Sequence, residues 1–331
     1  MTDTNSAPYV VGIDLGGTNA RAVLARRDGS ILGEVSHPSE SAGPAEGTFD
    51  VLARVVAEVI AEQGVKREEV AGIGVGLPGI ITPQNHCIWS PNFPHWRDVP
   101  IKEMLDSRTS LPSFFLNDAR CATLGELHFG AGRGVGSMVF VGLGTGIGGG
   151  FVINGKLLLG RNGSVGEIAH HTVDPSGPQC GCGNFGCWEV FCGRDRIVRR
   201  AMAKLQLGTE STLLTATGGR DLSPRAIAEA ANDGDALAKE VMDEVGYYVG
   251  VGVANLINML NPERVVIGGG VAQAGELLFG PIRRTVRARA VPFQAMGCEI
   301  VPAQLGSDAG VQGAVVLVLD RLGEHVAPGA A

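Results

Sequence analysis

Three cysteines and two histidines lie close together near the middle of the chain and could bind a metal ion. Cys180, Cys182 and Cys187 fall within eight positions, and His170 and His171 precede them. Zinc prefers a tetrahedron of thiolates and imidazoles, and the glycines between the cysteines allow the backbone to turn tightly. The alternatives are a disulfide or three buried free thiols. Zinc is favoured because a Cys-x-Cys pair is poorly placed to form a disulfide with itself.

Acidic residues flank this cysteine cluster on both sides. Glu167 precedes the histidines and Glu189 follows the last cysteine. Either histidine could be the fourth ligand of the metal. A bound ion would therefore hold two carboxylates and a histidine near one another, as polar groups for a polar small molecule.

The chain begins with two apolar, β-branched runs separated by a glycine turn. The pattern predicts a strand hairpin with Asp14, Gly16, Gly17, Thr18 and Asn19 at its turn. Backbone N–H groups in such a turn can bind phosphate oxygens, and Asp14 is the residue type that orients a hydrated Mg²⁺. A purely structural hairpin is the alternative.

The same design recurs about 130 residues later, around Gly144, Thr145, Gly146 and Gly148. The match to the dinucleotide fingerprint fails because residues 151–159 are predicted to form a strand where a helix is required. The match to a P-loop fails because Leu157 stands where Ser or Thr must hold Mg²⁺. The duplication suggests two related domains that face one nucleotide. A third glycine turn, Gly268–Gly270, ends a further predicted strand.

A polar pair follows the strand predicted at Phe114–Leu116. Asn117 and Asp118 stand at its carboxyl end and open a helix predicted over 119–127, which is where open α/β sheets place their chemistry. The alternative is that Asp118 merely caps this helix. Upstream, a buried strand predicted over 70–81 contains Gly79 in a turn, and Asn92 lies in a proline-rich loop.

Composition limits the class of protein. The chain has 331 residues, is 44% hydrophobic and carries a net charge of −7. Its length allows two domains with hydrophobic cores. Its net negative charge lacks the excess of basic residues that is typical of nucleic-acid-binding proteins. No apolar run reaches the roughly 18 residues of a membrane span. Met1–Pro8 lacks the basic and apolar regions of a signal peptide. The odd number of cysteines fits a reducing compartment. We therefore expect a cytoplasmic protein that binds neither nucleic acid nor membranes.

Periodicity predicts several helices that support these turns. Apolar residues recur on one face over 49–63, and a long helix is predicted over 236–260 and ended by Asn261-Pro262. Ser223 and Pro224 are typical of a helix start. A closing helix carries an apolar stripe that includes Val311.

These motifs together resemble the ROK family (repressors, open-reading-frame proteins and sugar kinases). The most specific part of the resemblance is Glu167-Ile-Ala-His170 followed by Cys180-x-Cys182-Gly-x-x-Gly-Cys187-x-Glu189. Two departures stand out. Ala169 replaces the family's glycine and adds a methyl group beside the sugar pocket, and His171 adds a second candidate ligand, although the motif's alignment favours His170.

The resemblance implies an α/β, two-domain hexokinase/actin-like (ASKHA) fold with a ligand cleft between the domains. Residues 1–117 would form a small N-terminal domain, joined by a C-terminal helix at about 312–331, and residues 118–311 a larger domain with the zinc-binding loop. The family also implies a homodimer or homotetramer, which the sequence itself does not show.

The resemblance further implies an ATP-dependent hexose kinase that uses Mg²⁺ with ATP and a structural Zn²⁺. Asp118 would be the base that accepts the proton of the sugar 6-hydroxyl. The implied sugar-binding residues are Gly79, Asn92, Asn117, Asp118, Glu167, His170 and Glu189. The implied nucleotide-binding residues are Asp14, Gly16, Gly17, Thr18, Asn19, Gly144, Thr145, Gly146, Gly148, Gly268, Gly269 and Gly270. The implied zinc ligands are His170, Cys180, Cys182 and Cys187.

The preferred sugar and donor stay open at this point. Glucose is the first choice because Gly186-Cys187-Trp188-Glu189 is similar to bacterial glucokinases, but kinases of N-acetylglucosamine, N-acetylmannosamine or fructose share these motifs, and polyphosphate could replace ATP. A sugar-responsive regulator of the same family would carry a winged helix-turn-helix before the first strand, which is predicted here at Tyr9. An actin- or chaperone-like ATPase would lack the cysteine cluster.

Overall fold

The computed structural model describes residues 7–213 and 222–323, which form a mixed α/β protein. The strands are β1 Tyr9–Leu15, β2 Asn19–Arg26, β3 Ile31–Pro38, β4 Val70–Leu77, β5 Ile80–Ile81, β6 Cys87–Trp89, β7 Ser113–Asn117, β8 Met138–Leu143, β9 Ile147–Ile153, β10 Lys156–Leu157, β11 Arg264–Gly268 and β12 Glu299–Pro302. The helices are α1 Ala45–Glu62, α2 Ile101–Thr109, α3 Asp118–Phe129, α4 Glu189–Cys192, α5 Arg194–Gln206, α6 Pro224–Asn232, α7 Ala236–Leu260, α8 Glu276–Arg289, α9 Pro292–Gly297 and α10 Ala309–Arg321. Short 3₁₀ segments lie at Arg67–Glu69, Ile168–His170, Gly270–Ala274 and Gly306–Asp308.

The first sheet has the strand order β3-β2-β1-β4-β7. Strands β1, β2 and β3 pair antiparallel, and β1, β4 and β7 pair parallel. The predicted hairpin is therefore confirmed as β1–β2, with Gly16 N–H donating to the Asn19 carbonyl over 2.8 Å at its turn.

Helices cover both faces of this sheet because successive side chains of a strand point to opposite sides. Val11 and Ile13 of β1 pack with apolar side chains of α1, whereas Val10 packs with Val311 and other residues of α10. Gly74 of β4 lets α10 come close, since a Cβ there would lie 1.9 Å from the Ala314 carbonyl oxygen. Residues close in space thus come from both ends of the chain.

The second sheet has the strand order β10-β9-β8-β11-β12. Strand β11 pairs parallel with β8 and with β12. The strand predicted over 151–159 is wrong as a single element: β9 already begins at Ile147, and β10 runs back against it. The reversal occurs at Asn154 and Gly155, whose φ values of 53° and 71° are those of a type I′ hairpin turn.

The long helix α7 occupies the predicted span and ends at Asn261 in the left-handed conformation. Asn tolerates this conformation better than most residues, so it commonly ends helices. Gly246 and Gly250 allow α8 to pack closely, because a Cβ at Gly250 would lie 2.5 Å from Thr285. Ser223 caps α6 with its side chain, as predicted, and Pro224 is the first helical residue.

Two other predicted elements have different limits. The strand predicted over 70–81 ends at Leu77, and β5 follows after Gly79, whose φ of 135° ends regular pairing. The closing helix ends at Arg321, and residues 324–331 of the predicted C-terminal segment lie outside the described residues. Among the described residues, none of the helices combines the length and apolar composition needed to cross a bilayer.

Contact density divides the chain into two compact units. The first comprises Met1–Gly136, Gly150–Gly166 and Leu305–Ala331, and the second Ser137–Gly149 and Glu167–Gln304. The boundary lies within β9, and α3 belongs to the first unit. The domain limits expected from the sequence, at 117/118 and about 312, stay predictions, as do the ligand cleft and the homodimer or homotetramer.

Candidate active site

Asp14 and Asp118 are the titratable pair of the first unit. Asp14 lies near the end of β1, and Asp118 is the first residue of α3. Burial and, to a smaller extent, the charge of Asp118 raise the pKa of Asp14 to about 6, although Arg21 acts in the opposite direction. A carboxylate whose ionisation is disfavoured by a neighbouring carboxylate marks a place where a cation would be stabilised.

Asn117 caps the helix that Asp118 opens. Its Oδ1 accepts hydrogen bonds from the N–H groups of Ala119 at 3.1 Å and Arg120 at 3.4 Å, and its Nδ2 donates to the Gly79 carbonyl at 3.3 Å. Asp118 Oδ1 accepts from Ala119 as well, at 2.8 Å. Because Asn117 occupies the cap position, capping alone does not account for the carboxylate at Asp118.

Asn92 lies against the turn of the β1–β2 hairpin. A Cβ on Gly17 would be 3.0 Å from the Asn92 side chain, and Asn92, Thr18 and Asn19 are exposed. The structure therefore brings a residue predicted to bind sugar next to the turn predicted to bind phosphates.

Arg21 was missed by the sequence reasoning. Its guanidinium contacts Asp308 at 2.6 Å and Glu34 at 2.5 Å. Arg21 and Asp308 come from opposite ends of the chain, so no spacing relates them. The only sequence signal was the position of Arg21 between two apolar residues of β2.

The glycine turns of the second unit lie at the ends of neighbouring parallel strands. Gly144 follows β8, and its N–H donates to the Gly146 carbonyl over 2.9 Å. Gly268 ends β11, and Gly269 and Gly270 follow it. Gly269 has a φ of 87°, and a Cβ there would lie 2.3 Å from the Leu143 carbonyl oxygen. The carboxyl ends of parallel strands are where α/β proteins bind phosphorylated ligands.

Glu189 lies against the first of these turns. Its Oε2 accepts a hydrogen bond from the Ile147 N–H over 3.0 Å. Glu167, the other flanking carboxylate, is exposed and precedes the 3₁₀ turn that ends at His170. Ala169 is buried.

The cysteine cluster has the geometry of a four-ligand metal site. One donor atom from each of His170, Cys180, Cys182 and Cys187 lies within 4.8 Å of the others. The Cys182 and Cys187 sulfurs are 3.6 Å apart, and the Cys180 sulfur is 3.7 Å from His170 Nδ1. A tetrahedral zinc with bonds of about 2.3 Å has ligand–ligand edges of about 3.8 Å, so these residues fit the ion.

The thiols of this cluster differ in their proton affinities. The Asn184 N–H lowers the pKa of the exposed Cys182, which favours the thiolate that binds metals. Burial raises the pKa of Cys187 to about 12, so a bound cation would have to displace that proton.

His171 is placed outside this cluster. Its Nδ1 is bonded to the Ile168 carbonyl over 2.6 Å, its ring lies 5.1 Å from that of Trp188, and burial lowers its pKa. Of the two candidate histidines, the structure brings His170 to the cysteines.

Residues 10–321 match the ROK family. The chain belongs to this family. It is 39% identical to the glucokinase of Thermotoga maritima over 95% of this chain and 98% of that protein.

Solved structures similar to this ROK protein include both kinases and a regulator. A glucokinase from Streptomyces griseus in complex with glucose and AMPPNP is 33% identical, with a TM-score of 0.79 over 93% of this chain and 98% of that one. A ROK transcriptional regulator, described as a homologue of the Escherichia coli MLC protein, is 29% identical, with a TM-score of 0.87 over 96% of this chain and 79% of that one. The expected sugar-kinase fold is confirmed.

Proposed function

We propose that this ROK protein is an ATP-dependent kinase that phosphorylates the 6-hydroxyl of glucose. The similarity to the Thermotoga maritima glucokinase extends over nearly the full length of both chains, and the Streptomyces griseus enzyme of similar fold was solved with glucose and an ATP analogue. The observation that carries the proposal within this chain is the placement of Asp118 beside Asp14 at the start of α3.

Asp118 is the proposed base. As the 6-hydroxyl oxygen bonds to the γ-phosphorus of ATP, the carboxylate takes the hydroxyl proton. The bond from the γ-phosphorus to the oxygen it shares with the β-phosphate breaks, and ADP leaves with that electron pair. The products are glucose 6-phosphate, ADP and a proton.

Asp14 and the glycine turns are the proposed binding groups for the donor. The pKa of Asp14, raised by burial and by Asp118, indicates a position where a divalent cation would offset crowded negative charge. Mg²⁺ bound with ATP would neutralise phosphate charge there. The turns at Gly16–Asn19, Gly144–Gly148 and Gly268–Gly270 would direct backbone N–H groups to phosphate oxygens.

The proposed sugar contacts are mainly carboxylates, amides and a histidine. Carboxylates and amides suit hydroxyl-rich ligands because they accept and donate in fixed directions. Within the protein, Asn117 also bonds to the α3 backbone and Glu189 to the Ile147 N–H. The full proposed set is Gly79, Asn92, Asn117, Glu167, His170 and Glu189.

We propose a structural Zn²⁺ at the cluster of His170, Cys180, Cys182 and Cys187. Three thiolates and one imidazole fill the four positions of a tetrahedral ion, so no position is left for water or substrate. His170 uses Nδ1 on the cluster side, and a metal-bound histidine normally gives its other N–H to an oxygen. That N–H would be directed at a sugar hydroxyl.

Turnover measurements test the proposed reaction. Glucose, N-acetylglucosamine, N-acetylmannosamine and fructose are compared as acceptors, with ATP and polyphosphate as donors. Asp118→Asn should lower kcat by about two to four orders of magnitude while sugar affinity changes little. Asp98→Asn, an exposed change in the same unit, is the control. More than a tenth of wild-type turnover in Asp118→Asn would refute the assigned base.

The likeness to the regulator favours one second candidate, a sugar-responsive protein without kinase activity. This candidate predicts sugar binding with no ADP formed from ATP and any hexose of the panel. Sugar-dependent ADP release would exclude it.

A further inference from the structure

Glu189 connects two features of the second unit that the proposed function treats separately. It stands two residues after the cluster residue Cys187 and is the first residue of α4. Its carboxylate reaches Ile147, where β9 begins, and accepts the backbone N–H there over 3.0 Å. The hydrogen bond joins positions that are 42 residues apart in the chain.

The turn before Ile147 packs closely against residues 189–194. A Cβ on Gly146 would lie 2.0 Å from Glu189 Oε2, and a Cβ on Gly193 would lie 3.0 Å from the Thr145 carbonyl oxygen. The Arg194 N–H donates to the Gly144 carbonyl over 3.0 Å. A methyl group at position 146 would therefore displace the Glu189 carboxylate, and the turn contacts this segment at three places.

The residue before Glu189 is fixed on its other side. Trp188 is completely buried, and its indole N–H donates to the Tyr248 carbonyl of α7 over 2.8 Å. The Trp188 ring lies where a side chain at Gly252 would be, 2.2 Å from a Cβ there. Glu189 thus projects from a well-anchored stretch of backbone.

We propose that Glu189 is a positioning residue for the phosphate-binding turn Gly144–Ile147, in addition to any contact it makes with the sugar. The inference rests on the proposed function, in which this turn binds the phosphates of ATP. A glycine-rich turn has few side chains of its own to fix its backbone. A hydrogen bond from its N–H to a carboxylate is stronger than one to a neutral oxygen and so fixes the direction of the adjacent N–H groups.

The two oxygens of the carboxylate make both roles compatible. Oε2 accepts from Ile147, which leaves Oε1 for a sugar hydroxyl. The Ile147 N–H is thus already used within the protein, whereas the N–H groups of Thr145 and Gly146 are the proposed phosphate donors. Sugar and nucleotide would then be positioned by opposite oxygens of one side chain.

Glu189→Ala and Glu189→Gln separate the two roles. Glutamine keeps an acceptor oxygen for Ile147 but loses the charge, whereas alanine removes both. Affinity for AMPPNP with Mg²⁺, measured by calorimetry without sugar, should fall about tenfold or more in Glu189→Ala and at most about threefold in Glu189→Gln. The KM for ATP should follow the same order.

Hydrogen exchange provides a readout that needs no ligand. The Ile147 amide should exchange faster in Glu189→Ala than in the parent, and at nearly the parent rate in Glu189→Gln. Gly146→Ala, which disturbs the same contact from the turn, should reproduce the loss of AMPPNP affinity even if Glu189→Ala folds poorly. The control Glu299→Ala removes an exposed carboxylate of the same unit, at the amino end of β12, where it pairs with Arg264, and should leave AMPPNP affinity unchanged.

The outcomes distinguish this inference from the proposed function. Unchanged AMPPNP affinity and unchanged Ile147 exchange in Glu189→Ala would overturn the positioning role, even if the parent phosphorylates glucose. Failure of the parent to bind AMPPNP would overturn the proposed function instead, and Ile147 exchange would still decide whether Glu189 holds the turn. Equal losses in Glu299→Ala and Glu189→Ala would also overturn the inference.

Discussion

Replacing Asp14 by asparagine should stabilise the folded protein at neutral pH while it slows phosphoryl transfer. The carboxylate of Asp14 is half-buried near Asp118, and its loss of hydration together with the charge of Asp118 raises its pKa to about 6. Ionised Asp14 is therefore less favourable in the folded protein than in the unfolded chain. Asparagine has nearly the same shape and carries no charge, so it removes that cost.

The size of the effect follows from the two pKa values. The usual value is 3.8 and the folded value about 6, and each pH unit between them is worth about 1.4 kcal/mol. Because the folded protein binds the Asp14 proton more tightly than the unfolded chain does, this group favours folding most below about pH 4. That advantage is lost as the pH rises through the unfolded value to about 6. Relative to an uncharged side chain, Asp14 thus costs up to about 3 kcal/mol at pH 7.5 and almost nothing at pH 3.5.

Hydrogen exchange across a urea series measures the difference in the free energy of unfolding of the first unit between Asp14→Asn and the parent. The amides of β1 and β4 report its free energy of unfolding without requiring both units to unfold together. Nucleotide and Mg²⁺ are left out of the buffer because either would stabilise the parent. The control is Asp28→Asn: Asp28 is exposed, and the Ser30 hydroxyl lowers its pKa, so its replacement should bring no gain.

Two results would refute the reasoning. Asp14→Asn could be no more stable than the parent at pH 7.5, or its gain could be the same at pH 4 as at pH 7.5. Either result would mean that a buried charge is not what limits stability at this position. The same variant should lose about two orders of magnitude or more in turnover if Asp14 acts with Mg²⁺-ATP.

Three further changes test other parts of the structure. Cys182→Ser should reduce zinc from about one ion per chain to much less, by elemental analysis, and abolish glucose binding by calorimetry; normal activity without metal would contradict the metal site. Gly252→Ala should cost about 1–3 kcal/mol in urea unfolding because its methyl group meets the Trp188 ring, and an unchanged midpoint would show that the ring moves freely. Asp235→Ala should lower the free energy of unfolding by about 1–2 kcal/mol because the Asp235 carboxylate caps α7 by accepting the Ala238 N–H. An unchanged urea midpoint would show that this cap is dispensable.

Local patterns predicted the elements whose limits are set by nearby residues. The hairpin at Asp14–Asn19 follows from two apolar runs around glycines, and α7 follows from its periodicity and from Asn261 at its end. The side-chain cap at Ser223 is equally local. In these cases the residues that form the structure are also adjacent in the sequence.

Contacts between distant segments could not be predicted in this way. The ion pair of Arg21 with Asp308 joins residues 287 positions apart, and no spacing rule relates them. The hydrogen bond from Ile147 to Glu189 and the packing of Trp188 on Gly252 also join segments that are far apart in the sequence. The sequence offered Asp118 as the cap of α3, but the cap position belongs to Asn117.

The placement of α10 has a consequence for how the protein folds during synthesis. This helix covers the face of the first sheet that contains Val10 and Ala71, and it packs against α3 so closely that a Cβ on Gly313 would lie 1.6 Å from the Cys121 carbonyl oxygen. About 240 residues separate Ala71 from Val311, which a ribosome translates in roughly 10–50 s. During that interval the nascent sheet has an uncovered apolar face. We therefore expect chains stalled before residue 309 to depend on chaperones far more than completed chains do.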